Sequence, residues 1–207
     1  MKKLAAIISI VFISVSTYAQ NVADAKKLLD EVSAKTKTYN NMVIDFSFNN
    51  GKQDTKGKAT IQGEKYVVDF MGLTQIFDGS KMYIINPNDE EVTVASAKSA
   101  DSQAVSIASL LSFYKKGYTY AWDKKQTING KSIQFIKLTP TNSKDVKEVY
   151  LGIDTKTKNI YNRTDVYKGG SKSIITIKSF KTNQTLSKNH FTFTESKYPK
   201  YYINKID

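Results

Sequence analysis

Apolar and polar residues alternate along much of this 207-residue chain, which is typical of strands that bury one face. The alternation is clear at Met42, Ile44, Phe46 and Phe48. Comparable segments follow at residues 56–62, 65–71, 118–125, 132–140, 146–154, 159–167 and 173–181, with a last short strand at 191–193. Together with the meander described next, they predict about ten or eleven antiparallel strands.

The segment from Thr74 to Val94 predicts a β-meander of three strands. Asp78-Gly79 accepts the positive φ angles that a hairpin turn requires, so a turn is expected there. Pro87 cannot donate a hydrogen bond to a following ladder and therefore ends the second strand. Further turns are predicted at Asn50-Gly51, Asn129-Gly130 and Gly169-Gly170.

Two segments repeat apolar residues at helical spacing instead. They are residues 21–36, with Val22, Ala25, Leu29, Val32 and Thr36, and residues 102–115, with Ala104, Ile107, Leu110, Leu111, Phe113 and Tyr114. The many strands and few helices predict a fold class that is mainly β (α+β). A twisted sheet of more than about ten strands also curls or closes. We expect a curved antiparallel sheet that forms an incomplete β-barrel, with two or three helices covering its open face.

The first residues indicate export. Lys2 and Lys3 precede an apolar run from Leu4 to Val15, and Ala19 ends a small-residue cleavage site. This predicts a signal peptide at 1–19, a single domain at 20–207 and a periplasmic location. A single-pass anchor is the alternative, but the run is shorter than a bilayer requires. The chain has no cysteine, which excludes disulfides and a lipidated cysteine anchor.

The formal net charge of +12 favours anionic partners. Arg163 is the only arginine, and base recognition relies on arginine, so no nucleic-acid partner is predicted for this exported protein. The lysines are spread over the whole chain and form no long run. They therefore indicate either a solvated basic surface or transient contact with an anionic membrane or partner.

Signatures of catalysis are scarce. His190 is the only histidine, which disfavours a Ser-His-Asp triad and excludes a site with several histidine ligands. Asp89, Glu90 and Glu91 lack the spacing of a calcium loop and fit a polar turn better. No nucleotide-binding or hydrolase motif occurs. The sequence therefore predicts a protein that is not an enzyme and that uses no cofactor or metal.

Aromatic residues point to a different kind of site. The chain has 10 Phe and 13 Tyr against one Trp, and many of them fall on predicted strands. A curved sheet with such strands presents a concave face of large rings. That face is either an ordinary core or a pocket for acyl chains, and periodicity alone does not separate the two.

The order of several segments resembles the periplasmic lipoprotein carrier family, of the LolA type. The matching pieces are L-L-D-E-V-S-A-K at 28–35, Ile44-Asp45-Phe46, Gly57 with Ile61, the strand at 65–70, Phe77-Asp78-Gly79 through Asn86-Pro87 to Glu91-Val92, Leu110-Leu111, Phe191-Thr192-Phe193 and Pro199. They cover nearly the whole chain after residue 19. Each piece is weakly specific, and their order carries the resemblance.

The resemblance implies an incomplete β-barrel with a helical lid. Its apolar cavity would shield the acyl chains of a lipoprotein, or a related lipid, that crosses the periplasm from an inner-membrane release complex to an outer-membrane acceptor. The residues expected to line the cavity are Phe46, Phe48, Tyr66, Val68, Phe70, Met82, Ile107, Leu110 and Leu111. We expect the carrier to be a monomer.

One segment departs from the family. Its members place an arginine before the third strand, where it helps to hold the lid, whereas Gln62-Gly63-Glu64-Lys65 stands here. Gly63 and Lys65 are therefore predicted to control the lid, with one ammonium in place of a planar guanidinium. Two other functions stay open: an envelope-stress sensor or adaptor with a lipid-sensing cavity, and a hydrolase of the cell envelope.

Overall fold

The computed structural model describes residues 21–96, 114 and 116–206. These residues form one α-helix, α1, at 21–36, and a 3-10 turn at Glu195–Lys197. They also form twelve strands: β1 (Met42–Asn49), β2 (Asp54–Gln62), β3 (Lys65–Phe70), β4 (Leu73–Phe77), β5 (Lys81–Asn86), β6 (Glu91–Ser96), β7 (Tyr118–Ile128), β8 (Lys131–Pro140), β9 (Val146–Asp154), β10 (Ile160–Tyr167), β11 (Lys172–Thr182) and β12 (Tyr202–Ile206). The protein is therefore mainly β.

The chain forms two compact units that alternate along the sequence. We call the first the helical unit, and its described residues are 21–36, 114 and 116–171. The second is the aromatic unit, with described residues 37–96 and 172–206. No helix among the residues described is long and apolar enough to cross a membrane. The predicted signal peptide at 1–19 lies outside the described residues.

The aromatic unit contains strands in the order β12-β6-β5-β4-β3-β2-β1-β11. Neighbouring strands run antiparallel, except that β12 runs parallel to β6. The predicted meander is confirmed as β4, β5 and β6. Its first turn is fixed by Asp78, whose Oδ1 accepts hydrogen bonds of 2.8 Å from the backbone N–H groups of Ser80 and Lys81.

Strand register places one apolar row across this unit. Residues that pair directly in a ladder point to the same face of a sheet. Successive pairs join these residues into the row: Met42, Ile61, Tyr66, Phe77, Met82, Ala95 and Ile206. The next row on that face includes Ile44, Ala59 and Val68. One side of β1–β3 is thus apolar over two adjacent rows.

The helical unit contains α1 and four antiparallel strands in the order β10-β9-β8-β7. On α1, the buried side chains are Ala25, Leu28, Leu29 and Val32. Two contacts tie α1 to the turn after β9: Lys35 Nζ donates a 2.6 Å hydrogen bond to Thr157 O, and Glu31 lies 2.8 Å from Lys158. The turn therefore fixes the C-terminal half of the helix.

The prediction of a last strand at 191–193 is wrong. Residues 191–193 form no strand, because the chain there makes turns in which His190 N donates to Ser187 O and Thr192 N donates to Asn189 O. The missed strand is β12, whose Asn204 and Lys205 interrupt the apolar pattern. The described strands number twelve, not ten or eleven, and one pair is parallel.

The helix count also differs. Two or three helices were expected, and the described residues hold one α-helix together with a 3-10 turn. The helix predicted at 102–115 falls outside the described residues except for Tyr114. That residue is buried, and its hydroxyl donates a 3.0 Å hydrogen bond to Leu29 O.

Candidate functional site

The candidate site is one face of the aromatic unit, which we call the aromatic face. Its centre is a cluster of buried side chains from β1, β2 and β3: Met42, Ile44, Phe46, Ala59, Ile61, Tyr66 and Val68. Half-buried side chains pack around them: Tyr39, Phe70, Phe77, Ile175, Ile177 and Phe180. The cluster contains no charged side chain, so this face can interact with apolar groups.

Gly57 makes room for the Phe46 ring at the centre of the face. Gly57 pairs with Phe46 across β1 and β2, and the Phe46 ring lies directly over it. A Cβ atom at residue 57 would lie 2.8 Å from Cε1 of Phe46 and closer still to Cζ. Any larger residue would displace the ring, so Gly57 determines where it lies.

Ring contacts continue from the buried centre to the half-buried margin. Phe70 lies between two rings, with centroid distances of 5.5 Å to Phe46 and 5.6 Å to Phe48. Tyr66 stacks on Phe77 at 5.4 Å, and its hydroxyl lies 3.7 Å from the Met82 sulfur. Aromatic rings and a thioether form a large, polarisable surface that adapts to irregular apolar partners.

The structure brings together most of the described residues that the sequence predicted for the cavity. Phe46, Tyr66 and Val68 belong to the buried cluster, and Phe70 packs against it. Phe48 is half-buried against Phe70. Met82 is 1% exposed and packs with Ala95, Phe77 and Ile84. Three other predicted residues, Ile107, Leu110 and Leu111, lie outside the described part of the chain.

The sequence analysis did not predict several residues of the aromatic face. Met42, Ile44, Ala59 and Ile61 share the buried cluster, and Ile175, Ile177 and Phe180 reach it from β11. The strand alternation at Met42 and Ile44 was visible in the sequence. The contribution of β11 was not, because its pairing with β1 joins residues far apart in the chain.

The two residues predicted to control the lid lie at the turn between β2 and β3. Gly63 has a φ angle of +59°, and a Cβ atom there would meet nothing within 4 Å. Lys65 is exposed, and its side chain passes over the Gly79 turn. Their influence on a lid stays a prediction.

Over β4–β6, the opposite face of the same sheet is covered by the chain itself. Ile76, Ile85 and Val92 are buried there against a segment that includes Phe193 and Tyr198. Phe193 stacks between two rings, at 4.7 Å from Tyr83 and 5.4 Å from Tyr198. Burial raises the pKa of the Tyr83 hydroxyl, and neighbouring Asp78 raises it further. This face is therefore an ordinary core.

The charged groups of the part of the chain that the structure describes are not clustered as a metal site requires. No three His, Asp or Glu side chains among these residues are grouped as ligands for a metal ion. The single arginine, Arg163, lies 2.8 Å from Asp165 within β10. The apolar character of the aromatic face thus defines the candidate site.

Comparisons with known proteins place the chain in a family. The family model described as outer membrane lipoprotein carrier protein LolA matches residues 73–194, more than half of the chain. The protein belongs to the LolA family. None of the curated protein sequences matches the chain significantly.

Several solved structures are similar to this chain at low sequence identity. An uncharacterized conserved protein of Thermus thermophilus is 7% identical with a TM-score of 0.65, and the match covers 88% of this chain and 99% of that one. The lipoprotein LppX of Mycobacterium tuberculosis is 14% identical, with a TM-score of 0.47 and coverages of 78% and 98%. A putative outer membrane lipoprotein-sorting protein domain of Vibrio parahaemolyticus is 12% identical, with a TM-score of 0.45 and coverages of 81% and 97%. The first of these likenesses supports the fold.

Proposed function

We propose that this protein is a periplasmic carrier that binds the acyl chains of lipoproteins, or of related lipids, on its aromatic face. Membership of the LolA family supports a carrier or binding protein. The observation that carries the proposal is the charge-free cluster on β1–β3, which is bordered by half-buried rings. Acyl chains are the cellular ligands whose chemistry such a surface matches best.

Burial of the acyl chain supplies the binding free energy. Each CH₂ group that moves from water to apolar surroundings gains about 0.8 kcal/mol, so a long chain binds strongly if the site is ready. The central residues of the aromatic face are already buried without ligand. The ligand must therefore displace what buries them, and that opening subtracts from the affinity.

The proposed cycle needs partners at both ends. An inner-membrane release complex loads the carrier, and an outer-membrane acceptor removes the cargo by stabilising the open form. In this proposal the lid would be the helix that the sequence predicts at 102–115, and its residues Ile107, Leu110 and Leu111 would contact the acyl chain. The carrier performs no covalent chemistry in this scheme.

The test places a charge on each side of one strand. Val68 is 5% exposed on the aromatic face, whereas its neighbour Val67 packs on the opposite face. Val68→Glu should abolish binding of a fluorescent fatty-acyl probe, because an unpaired carboxylate is costly in an apolar site. Val67→Glu is the matched control, and it should retain the probe affinity.

A milder variant protects the test against misfolding. Phe48 is only half-buried, and Phe48→Ser should lower the probe affinity several-fold while the circular dichroism spectrum stays unchanged. Equal probe binding by wild type, Val68→Glu and Phe48→Ser would refute the aromatic face as the acyl site. Mass spectrometry of the protein from an envelope extract would then show whether the natural cargo is a lipoprotein or a free lipid.

A further inference from the structure

A second candidate site lies in the aromatic unit, beside the turn between β2 and β3. It is a cavity of about 550 Å³ whose other wall is the segment 184–192. Lys65 and Lys188 bring positive charge to it, and Gln62, Gln184, Ser187 and Thr192 bring amide and hydroxyl groups. None of the described residues that line it carries a carboxylate. The cavity is therefore polar and cationic, unlike the aromatic face.

The walls of the cavity are held by internal contacts. Asn41 is 6% exposed, and its Nδ2 donates a 2.7 Å hydrogen bond to Gln184 O. In return, Gln184 N donates a 2.9 Å hydrogen bond to Asn41 Oδ1. Phe191 is 8% exposed and anchors the other end of the segment. A preformed cavity binds its ligand without a large ordering cost.

The two lysines are available for a ligand. Neither Lys65 nor Lys188 forms an ion pair within residues 21–96 and 116–206. The Lys65 stem is supported by the Gly79 turn, since a Cβ atom at residue 79 would lie 3.6 Å from its Cε. Two unpaired ammonium groups around one concave surface favour an anionic ligand.

We propose that this cavity binds a phosphate-bearing polar group, with Lys65 and Lys188 contacting the phosphate. Lysine acts as a strong point charge for phosphate, and amide and hydroxyl groups can bond the rest of such a ligand. The volume falls in the usual range for small-molecule sites, about 300–1,000 Å³. It accommodates a phosphorylated glycerol or sugar, either as a free molecule or as the headgroup of a phospholipid.

This site is separate from the acyl site proposed above. Gln62 and Lys65 form the last pair of β2 and β3, one position beyond Ile61 and Tyr66 of the aromatic face. Because successive strand residues point to opposite faces, the cavity residues lie on the other side of the sheet. Loss of phosphate binding and loss of acyl binding can therefore be told apart in one protein.

The test compares two pairs of lysines in the full chain. The double variant Lys65→Gln/Lys188→Gln removes both cavity charges, and Lys52→Gln/Lys200→Gln removes two exposed charges elsewhere in the same unit. Binding of glycerol 3-phosphate is measured by calorimetry, and binding of vesicles of phosphatidylglycerol and phosphatidylcholine (1:4) by sedimentation. An acyl probe and circular dichroism check the other site and the fold.

The cavity variant should lose about tenfold in affinity for each lysine removed, while the control pair changes affinity by less than about twofold. Loss with glycerol 3-phosphate supports a soluble phosphorylated ligand, and loss with the vesicles alone supports a phospholipid headgroup. Equal weakening in both double variants would mean attraction by overall charge and would overturn the proposal. The proposal would also be overturned if the wild type bound neither glycerol 3-phosphate nor the vesicles.

Discussion

Both units bury aliphatic side chains, but the aromatic unit surrounds its buried cluster with half-buried rings. In the helical unit the central strands contribute aliphatic residues that are completely buried: Ile133, Ile136, Leu138, Val149, Leu151 and Ile153. In the aromatic unit, rings such as Phe46 and Tyr66 are buried, but Phe48, Phe70 and Phe77 remain half-buried around them. These aliphatic side chains of the helical unit are closed off from solvent, whereas the aromatic face has partly exposed rings at its margin.

This difference separates a structural core from a surface suited to a ligand. Branched aliphatic side chains interlock in a close-packed interior, which tolerates little rearrangement. Aromatic rings and Met82 present broad surfaces that can accept a partner of irregular shape. The aliphatic centre of the helical unit is therefore a structural core, and the aromatic unit offers the surface on which binding is proposed.

The largest expected effect distinguishes the two interiors directly. Leu151→Ala should lower the free energy of unfolding by about 3 kcal/mol, because the side chain is fully buried and leaves a cavity. The affinity of the folded protein for an acyl probe should stay within about twofold. Phe70 lies at the half-buried margin, so Phe70→Ala should lower the free energy of unfolding by less than Leu151→Ala does. It should, however, lower the affinity for the acyl probe. Urea unfolding measures the stability and probe titration measures the affinity. If Leu151→Ala lowers the probe affinity as much as Phe70→Ala does, the two interiors do not differ in function.

Two crowded glycines sharpen the comparison. Gly57→Ala would displace the Phe46 ring, and Gly152→Ala would press on Asn162 Oδ1 and approach Ile133 to 3.0 Å. Each should destabilise the protein by about 1–3 kcal/mol, as overpacking does. Thermal unfolding measures both losses.

The two losses should be relieved by different second changes. Phe46→Leu should rescue Gly57→Ala, and Asn162→Ala should rescue Gly152→Ala. The second rescue should be the more complete, since Asn162 Oδ1 is buried without a hydrogen-bond partner among the residues described. Only Gly57→Ala should change the affinity for the acyl probe. An equal change in affinity with Gly152→Ala would argue against a binding role confined to the aromatic unit.

Acid should weaken the helical unit through the turn that holds α1. Burial raises the pKa of the Asp154 carboxyl, but hydrogen bonds from Thr157 and Lys156 outweigh burial and leave the pKa below its ordinary value. A carboxyl with a lowered pKa stabilises the fold at neutral pH. That contribution is lost as the pH falls below about 4, the ordinary range of an aspartate.

Hydrogen exchange of α1 at pH 7 and at pH 3 checks this expectation. Asp154→Asn keeps the shape of the side chain and cannot ionise, so the part of the acid effect due to this carboxyl should disappear in it. An acid response of α1 that is identical in wild type and variant would show that other groups cause it.

The smallest expected effect concerns one turn from each unit. Met71-Gly72 and Asn129-Gly130 are both two-residue hairpin loops with positive φ at each position. Asparagine tolerates that conformation better than methionine, so Met71→Asn should stabilise by about 0.5 kcal/mol. Asn129→Met should destabilise by a similar amount. Opposite shifts in Tm are expected, and shifts of the same sign would contradict the explanation by turn geometry.

Much of the fold could be predicted from local pattern. Strands β1 to β11 follow the predicted segments to within a few residues, because alternation with period two is a property of each strand alone. The loop at Asn129-Gly130 is fixed by its two residues in the same way. Strand β12 was missed because a short, mostly exposed strand has little alternation to detect. Phe193 was placed in a strand, since a ring that packs from a loop gives the same local signal.

The sequence by itself determined which residues are apolar, where the strands and the tight turns fall, and that aromatic residues are plentiful. The tertiary structure alone decided which of them meet. Register joined Met42, Ile61 and Tyr66 into one row, and β11 added its side chains to β1 from more than a hundred residues away. Pairing depends on hydrogen bonds between distant segments, and no local period records the partner.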